Sequence, residues 1–276
     1  MSKKVRIGLI GCGAIGSEIA KAIDKGLIPN ATLKAALDED PKATKVLNTQ
    51  LKKKFKAVKT INQLLKAGVD LIVEAASQQA VKEYAEKILK SRKDLLVLSV
   101  GALLDNTLLQ NLLKICQRYG NRIYVISGAL GGIDAIKAAS IIGFTDLILT
   151  TRKHPNALAS SPFFTERGLD PKNITQPTLL YEGSASEAVR LFPANINVAA
   201  TLTLTATPKE PLIRIIADPT LDVNVHELTA RGEFGEITIV MKNKPSSTNP
   251  KTSYIAALSA ISALRSICSF GLKLGL

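Results

Sequence analysis

VRIGLIGCGAIGSEIA, residues 5–20, sets the apolar residues of a short buried strand, Val5, Ile7, Leu9 and Ile10, directly before glycines at 11, 13 and 16. Glycine at the G-x-G-x-x-G positions lets the backbone turn tightly and lets a pyrophosphate approach the amides of the following helix. Ser17 to Ile23 continue with helical spacing, and Ile15, Ile19, Ala22 and Ile23 fall on one side. Strand, turn and helix stand in the order that a dinucleotide site requires. Gly11, Gly13 and Gly16, with Ala14 and Ile15 between them, are therefore the first candidate cofactor-binding residues.

The alternation continues outward from this unit. ATLKAALDED is a strand ending at Asp38, Pro41 to Lys54 reads as helix, FKAVKT as a short strand, INQLLKAG as a helix stopped by Gly68, and VDLIVEAA as a buried strand. QQAVKEYAEKILKSR is an amphipathic helix and LLVLSVGAL a further buried strand. DNTLLQNLLKICQRYG is a helix capped by Asp105 or Asn106 and stopped by Gly120, and RIYVISGALGG is a strand ending in a glycine turn. Such units wind into a parallel sheet with helices on both faces, an α/β domain of the doubly wound Rossmann type. Asp38 lies about twenty residues past the glycines, where a carboxylate accepts ribose hydroxyls and repels a 2′-phosphate, favouring NAD over NADP. The plainer alternative is a turn aspartate before EDPK.

Beyond residue 140 the rhythm changes. DLILTTRKH, PTLLYEGSASEAVRLFP, TLTLTATP, LIRIIADP, LDVNVHELTARG and GEITIVMKNKP are rich in Thr, Val, Ile and Leu and punctuated by Pro, Gly and Asp. That texture predicts a second, α+β domain with a mixed or antiparallel sheet and helices around 183–191 and 195–203. NPKTSYIAALSAISALRSICSF reads as a helix returning to the first domain. The expected division is 1–130 with 250–276 for the dinucleotide domain and 131–249 for a domain that binds substrate and dimerises.

Composition narrows the function classes. A chain of 276 residues with 46% hydrophobic residues carries a sizeable core. The 36 Lys+Arg against 23 Asp+Glu leave +13, but the lysines are dispersed and the one dense run, LKKKFKAVK, falls on a solvated helix-and-strand segment. No nucleic-acid partner is expected. Cys12, Cys116 and Cys268 are far apart and form no C-x-x-C, which predicts a reduced protein without a metal site. No long uninterrupted apolar stretch and no convincing leader cleavage site occur, so the expectation is a cytoplasmic protein with no membrane partner.

Acid–base chemistry near neutral pH is easily enumerated, because the chain has two histidines. His154, in TTRKHPNAL, reads as an exposed loop residue. His226, in DVNVHELTARGEFG, sits on a strand on the face opposite Val223 and Val225, where a hydrogen-bonded structural histidine is the default and a catalytic base the alternative. SGALGG at 127–132 ends the last strand of the first domain, where ligands of open parallel sheets lie, or is a plain turn between domains. Asn195 and Asn197 precede a helix and serve equally as N-caps or ligand contacts. Arg152, Lys153 and Lys251 are cations near glycine or proline turns and suit a substrate carboxylate.

These clusters coincide in one family. The chain resembles the L-aspartate dehydrogenases in GLIGCGAIG, EAASQQAVKEYAEKIL, LSVGAL, ISGALGGIDAIKAA, TTRKHP, LFPANINVAATL, VHEL and PSSTNPKTSYIAALSAI. The resemblance implies an NAD(P)-dependent enzyme that oxidises L-aspartate to iminoaspartate, which hydrolyses to oxaloacetate and ammonia or feeds NAD biosynthesis through quinolinate. It further implies that Ala129 and Asn195 contact the cofactor, that His226 is catalytic, and that the sheet domain forms a homodimer. Arg152, Lys153, Lys251, Thr252 and Asn197 are then the candidates for the two substrate carboxylates. His154 departs from the family's R-K-P-P stretch. Related two-domain enzymes, homoserine dehydrogenase or dihydrodipicolinate reductase among them, and a non-catalytic NAD-binding redox sensor are the competing readings.

Overall fold

A computed structural model describes residues 4–246 and 253–270. The chain divides into two compact units, Met1–Ile126 joined by the segment from Ala257, and Ser127–Ala256.

The first unit opens with β1 (Val5–Ile10), α1 (Ala14–Asp24), β2 (Ala31–Leu37), α2 (Pro41–Gln50), β3 (Lys56–Val58), α3 (Ile61–Leu65), β4 (Leu71–Glu74) and α4 (Gln78–Lys90). It continues with β5 (Asp94–Val97), a 3-10 turn at Val100–Leu104, α5 (Asn106–Tyr119) and β6 (Ile123–Val125). The six strands pair in the order β3-β2-β1-β4-β5-β6, every pair parallel. This is the doubly wound order whose strand sequence reverses between β1 and β4. All four residues of β4 are buried, as expected of a strand covered on both faces. Asp40, Thr60, Ser77 and Asp105 each accept a backbone N–H in the first turn of the helix that follows. Gly120 ends α5 in the left-handed conformation at φ 71.

LLVLSVGAL departs from its expected form. The strand ends at Val97, and Val100–Leu104 tighten into a 3-10 turn, because the Ser99 backbone N–H and hydroxyl are drawn to the buried Glu74 carboxylate.

The second unit contains α6 (Ile133–Ala139), β7 (Asp146–Lys153), α7 (Pro155–Leu158), α8 (Pro162–Thr165), β8 (Thr178–Gly183) and α9 (Ala185–Leu191). It continues with α10 (Asn197–Ala206), β9 (Leu212–Ala217), β10 (Asn224–Gly232), β11 (Gly235–Asn243) and the start of α11 (Tyr254–Cys268). Its sheet runs β11-β10-β7-β9-β8. It is mixed, since β7 and β9 are parallel while the other pairs are antiparallel. α6 was not legible as a helix in the sequence.

The helix expected around 195–203 is α10, which runs on to Ala206 through the β-rich TLTLT, 201–205. Burial of Val198, Ala199, Ala200 and Leu202 overrides the β-propensity. Thr203 and Thr205 satisfy their hydroxyls by donating to the carbonyls of Ala199 and Thr201 one turn back. Ala260, Leu264 and Cys268 of α11 pack in the core of the first unit beside Ile7, Leu9, Ile19 and Val73.

Candidate functional site

At the carboxyl ends of β1 and β4 the first unit holds a cavity of about 760 Å³, lined among others by Gly11, Gly13, Asp38, Ala76 and Ser77. The three glycines have separate duties. Gly11 has φ +92, and a side chain there would collide with the backbone of Ala75, so only glycine makes this turn. A Cβ on Gly16 would run into the Gly11 carbonyl oxygen. Gly16 therefore lets α1 close on β1, and it is buried. Gly13 faces open space, with nothing within 4 Å of the Cβ position. It is the residue before α1, whose N-terminus has no side-chain cap. Uncapped amides behind an open glycine form a cradle for an anion. Ala14 and Ile15 begin the helix and are half-buried.

Asp38 is anchored rather than dangling. One carboxylate oxygen accepts the Cys12 N–H at 2.6 Å and the other accepts the Asp40 N–H at 2.8 Å. Each oxygen keeps a lone pair for a ribose hydroxyl. Lys45 and Lys59 line the same cavity. On the β4 side, Glu74 accepts N–H groups of Ala76 and Ser99 and the Ser99 hydroxyl. Burial raises its pKa despite those bonds. The turn after β4 is thus held by a residue that the sequence reading passed over.

The second unit gathers a different set. His226 on β10 stands directly opposite Thr151 on β7. Its Nδ1 lies 2.9 Å from the Thr151 hydroxyl oxygen, and both residues are buried. Lys153, two residues along β7 on the same face, is buried as well. Its ammonium donates to Asn195 Oδ1 at 2.7 Å. A residue expected against the cofactor and one expected against the substrate are therefore a hydrogen-bonded pair. Burial lowers the Lys153 pKa from 10.5 to about 8. Burial, then the Lys153 charge, pushes His226 from 6.5 down to about 3. Near neutrality the imidazole is therefore uncharged, with one nitrogen able to accept a proton.

The other candidates disperse. Arg152 alternates to the opposite face of β7, beside Asp218 and Glu227 at 3.9 Å and 3.5 Å. Asn195 and Asn197 are not caps, because Ile196 occupies the N-cap of α10 without a side-chain bond. Ala129 is buried and its carbonyl accepts from Asn243 Nδ2 at 2.9 Å. His154 caps α7, accepting the Asn156 N–H at 3.2 Å. It lines a second cavity of about 740 Å³ with Leu221, Asp222, Asn224 and Pro245. Lys251 and Thr252 lie outside the described residues. Among the described residues no group of three or more His, Cys, Asp or Glu is placed to hold a metal ion, and no helix is long and apolar enough to cross a membrane. Thr151 was missed because a lone threonine on a strand carries no spacing signal; only the cross-strand register pairs it with His226.

Comparison with known proteins agrees with both halves. Residues 11–126 match the family described as "Homoserine dehydrogenase, NAD binding domain", and residues 134–267 match "Aspartate dehydrogenase, C-terminal". An L-aspartate dehydrogenase of Methanosarcina barkeri is 47% identical over 266 residues, covering 96% of this chain and 97% of its own. One from Nitrosopumilus maritimus is 43% identical, covering 98% and 99%. The fold matches the crystal structure of an aspartate dehydrogenase from Thermotoga maritima with a TM-score of 0.74 at 24% identity, covering 98% of this chain and 99% of that one.

Proposed function

The chain belongs to the L-aspartate dehydrogenase family, and from that premise we propose that it oxidises L-aspartate to iminoaspartate with NAD or NADP. The observation that carries this reading is the buried group of His226, Thr151 and Lys153, with the half-buried Asn195 bonded to Lys153: a neutral base and a cation gathered on one face of the sheet.

The bound dinucleotide supplies the hydride acceptor. Its phosphates suit the uncapped start of α1 above Gly13, and its adenosine ribose suits Asp38. The substrate's amine must lose a proton before hydride leaves Cα. Neutral His226 accepts it, and the same group then assists hydration of the imine. Lys153 pairs with a substrate carboxylate. That pairing offsets the cation's effect on His226 and raises the imidazole pKa toward the range useful for catalysis, because a nearby negative charge favours the protonated form. The product's release as oxaloacetate and ammonia, or its consumption in quinolinate formation, follows from the chemistry of an imine.

The reading is tested by following NADH formation with L-aspartate, and with homoserine, malate and glutamate as alternatives, in NAD and NADP. Aspartate-dependent reduction is expected, and no turnover with any amino acid would refute it. His226→Gln is expected to lower kcat about 10²- to 10⁴-fold with dinucleotide affinity kept. Asp38→Ser keeps an acceptor oxygen and removes the charge. The ratio of kcat/KM for NADP over NAD should then rise about tenfold or more, Lys45 and Lys59 being at hand for a 2′-phosphate. Three free cysteines suit a reducing cytoplasm. The homodimer reading is supported by apolar side chains exposed on the sheet of the second unit.

A further inference from the structure

We propose that Thr151 is the positioning residue of this site: its hydroxyl oxygen accepts the Nδ1 proton of His226 and so leaves Nε2 as the unprotonated nitrogen available to substrate. The inference rests on the reading of His226 as the base, and it deepens that reading by naming which nitrogen acts.

A neutral imidazole has one N–H and one lone pair, and the bond made at one nitrogen decides the state of the other. Here the partner is placed by the sheet itself. Thr151 and His226 are opposed residues of the β7–β10 pair, 2.9 Å apart between Oγ1 and Nδ1. The β-branched side chain has few rotamers on a strand, so the oxygen is held in place. A hydroxyl is able to donate or accept, and the surroundings choose. Lys153 lies on the same face of β7 and its charge acts on the imidazole. With the proton on Nδ1, Nε2 presents a lone pair, and the nearby positive charge favours a lone pair over a further proton. The other tautomer would place the single N–H on Nε2 and leave Thr151 to donate its hydroxyl proton to Nδ1. A neutral orienting partner has a further effect. A carboxylate in that place would favour the imidazolium, whereas a hydroxyl orients the ring and leaves it unprotonated and ready to accept.

The test uses the full chain labelled with ¹⁵N-histidine. With two histidines in the sequence, His154→Gln assigns the remaining ring signals to His226. Two-bond ¹⁵N–¹H correlation at neutral pH is expected to show Nδ1 protonated and Nε2 unprotonated; the reverse pattern overturns the proposal. Thr151→Val keeps the shape and removes the hydroxyl. It should lose the single tautomer and lower kcat about ten- to hundredfold while leaving NAD affinity as it was, and Thr151→Ser should recover most of the loss. A Thr151→Val protein with normal kcat and an unchanged tautomer would also overturn it. The tautomer is read without turnover, so a protonated Nδ1 beside a fully active His226→Gln variant would remove the base while keeping the orientation.

Discussion

His226 is where chemistry and stability meet most directly. Its folded pKa of about 3 lies below the ordinary 6.5, so between those values the unfolded chain binds a proton that the folded chain refuses. Stability must rise with pH across that window and be lost as pH falls from 6.5 toward 3, a contribution on the order of a few kcal/mol. Lys153 acts in the same sense at the other end. Its folded value of about 8 against 10.5 makes the buried ammonium a cost at neutrality that is relieved as pH rises through that interval. We expect urea midpoints to drop between pH 7 and pH 4, and to drop less in His226→Gln, which has no proton to gain. Equal slopes in the two proteins would show that the imidazole is not held neutral by the fold. Cys12 is inert by the same logic, since burial and the neighbouring Asp38 charge raise its thiol to about 12.

At the scale of elements, the turn between β1 and α1 separates packing from binding. Gly16→Ala puts a methyl against the Gly11 carbonyl oxygen, so α1 must move off β1. We expect a loss of about 1–3 kcal/mol, read as a lowered Tm with or without NAD. Gly13→Ala meets nothing within 4 Å at an ordinary φ of −70. The free protein should melt nearly as before, but the rise in Tm produced by NAD should shrink, because the methyl occupies space left for phosphate. If both variants lose only stability, the open space above Gly13 is not a ligand site. In the sequence these glycines are equivalent letters of one motif. What tells them apart is where each Cβ would point, and α10 teaches the same lesson, where a β-rich string is helical because its apolar side must be buried.

For the whole molecule, the sheet of the second unit has one face bearing Thr151, Lys153 and His226 and another bearing Arg152, Ile216 and Glu227 by register. Leu179 opposes Ile216 and Val240 opposes Glu227, which places both on that second face, each 53% exposed. If this face joins two copies, the double variant Leu179→Glu/Val240→Glu should sediment as a monomer where the parent sediments as a dimer, since uncompensated charge is costly to bury. A parent that is monomeric at micromolar concentration would refute the interface. The sequence by itself determined the doubly wound half, the glycine turn, Asp38 and the two histidines worth weighing. Their signals are local: a period, a spacing, a cap, read over ten or twenty residues. The tertiary structure alone decided that Lys153 meets Asn195 from 42 positions away, that Arg152 beside it does not, and that Thr151 faces His226. Strand alternation sends adjacent residues to opposite faces, and sheet register joins residues far apart in the chain, so the partners of the proposed base exist only once β7 and β10 have paired.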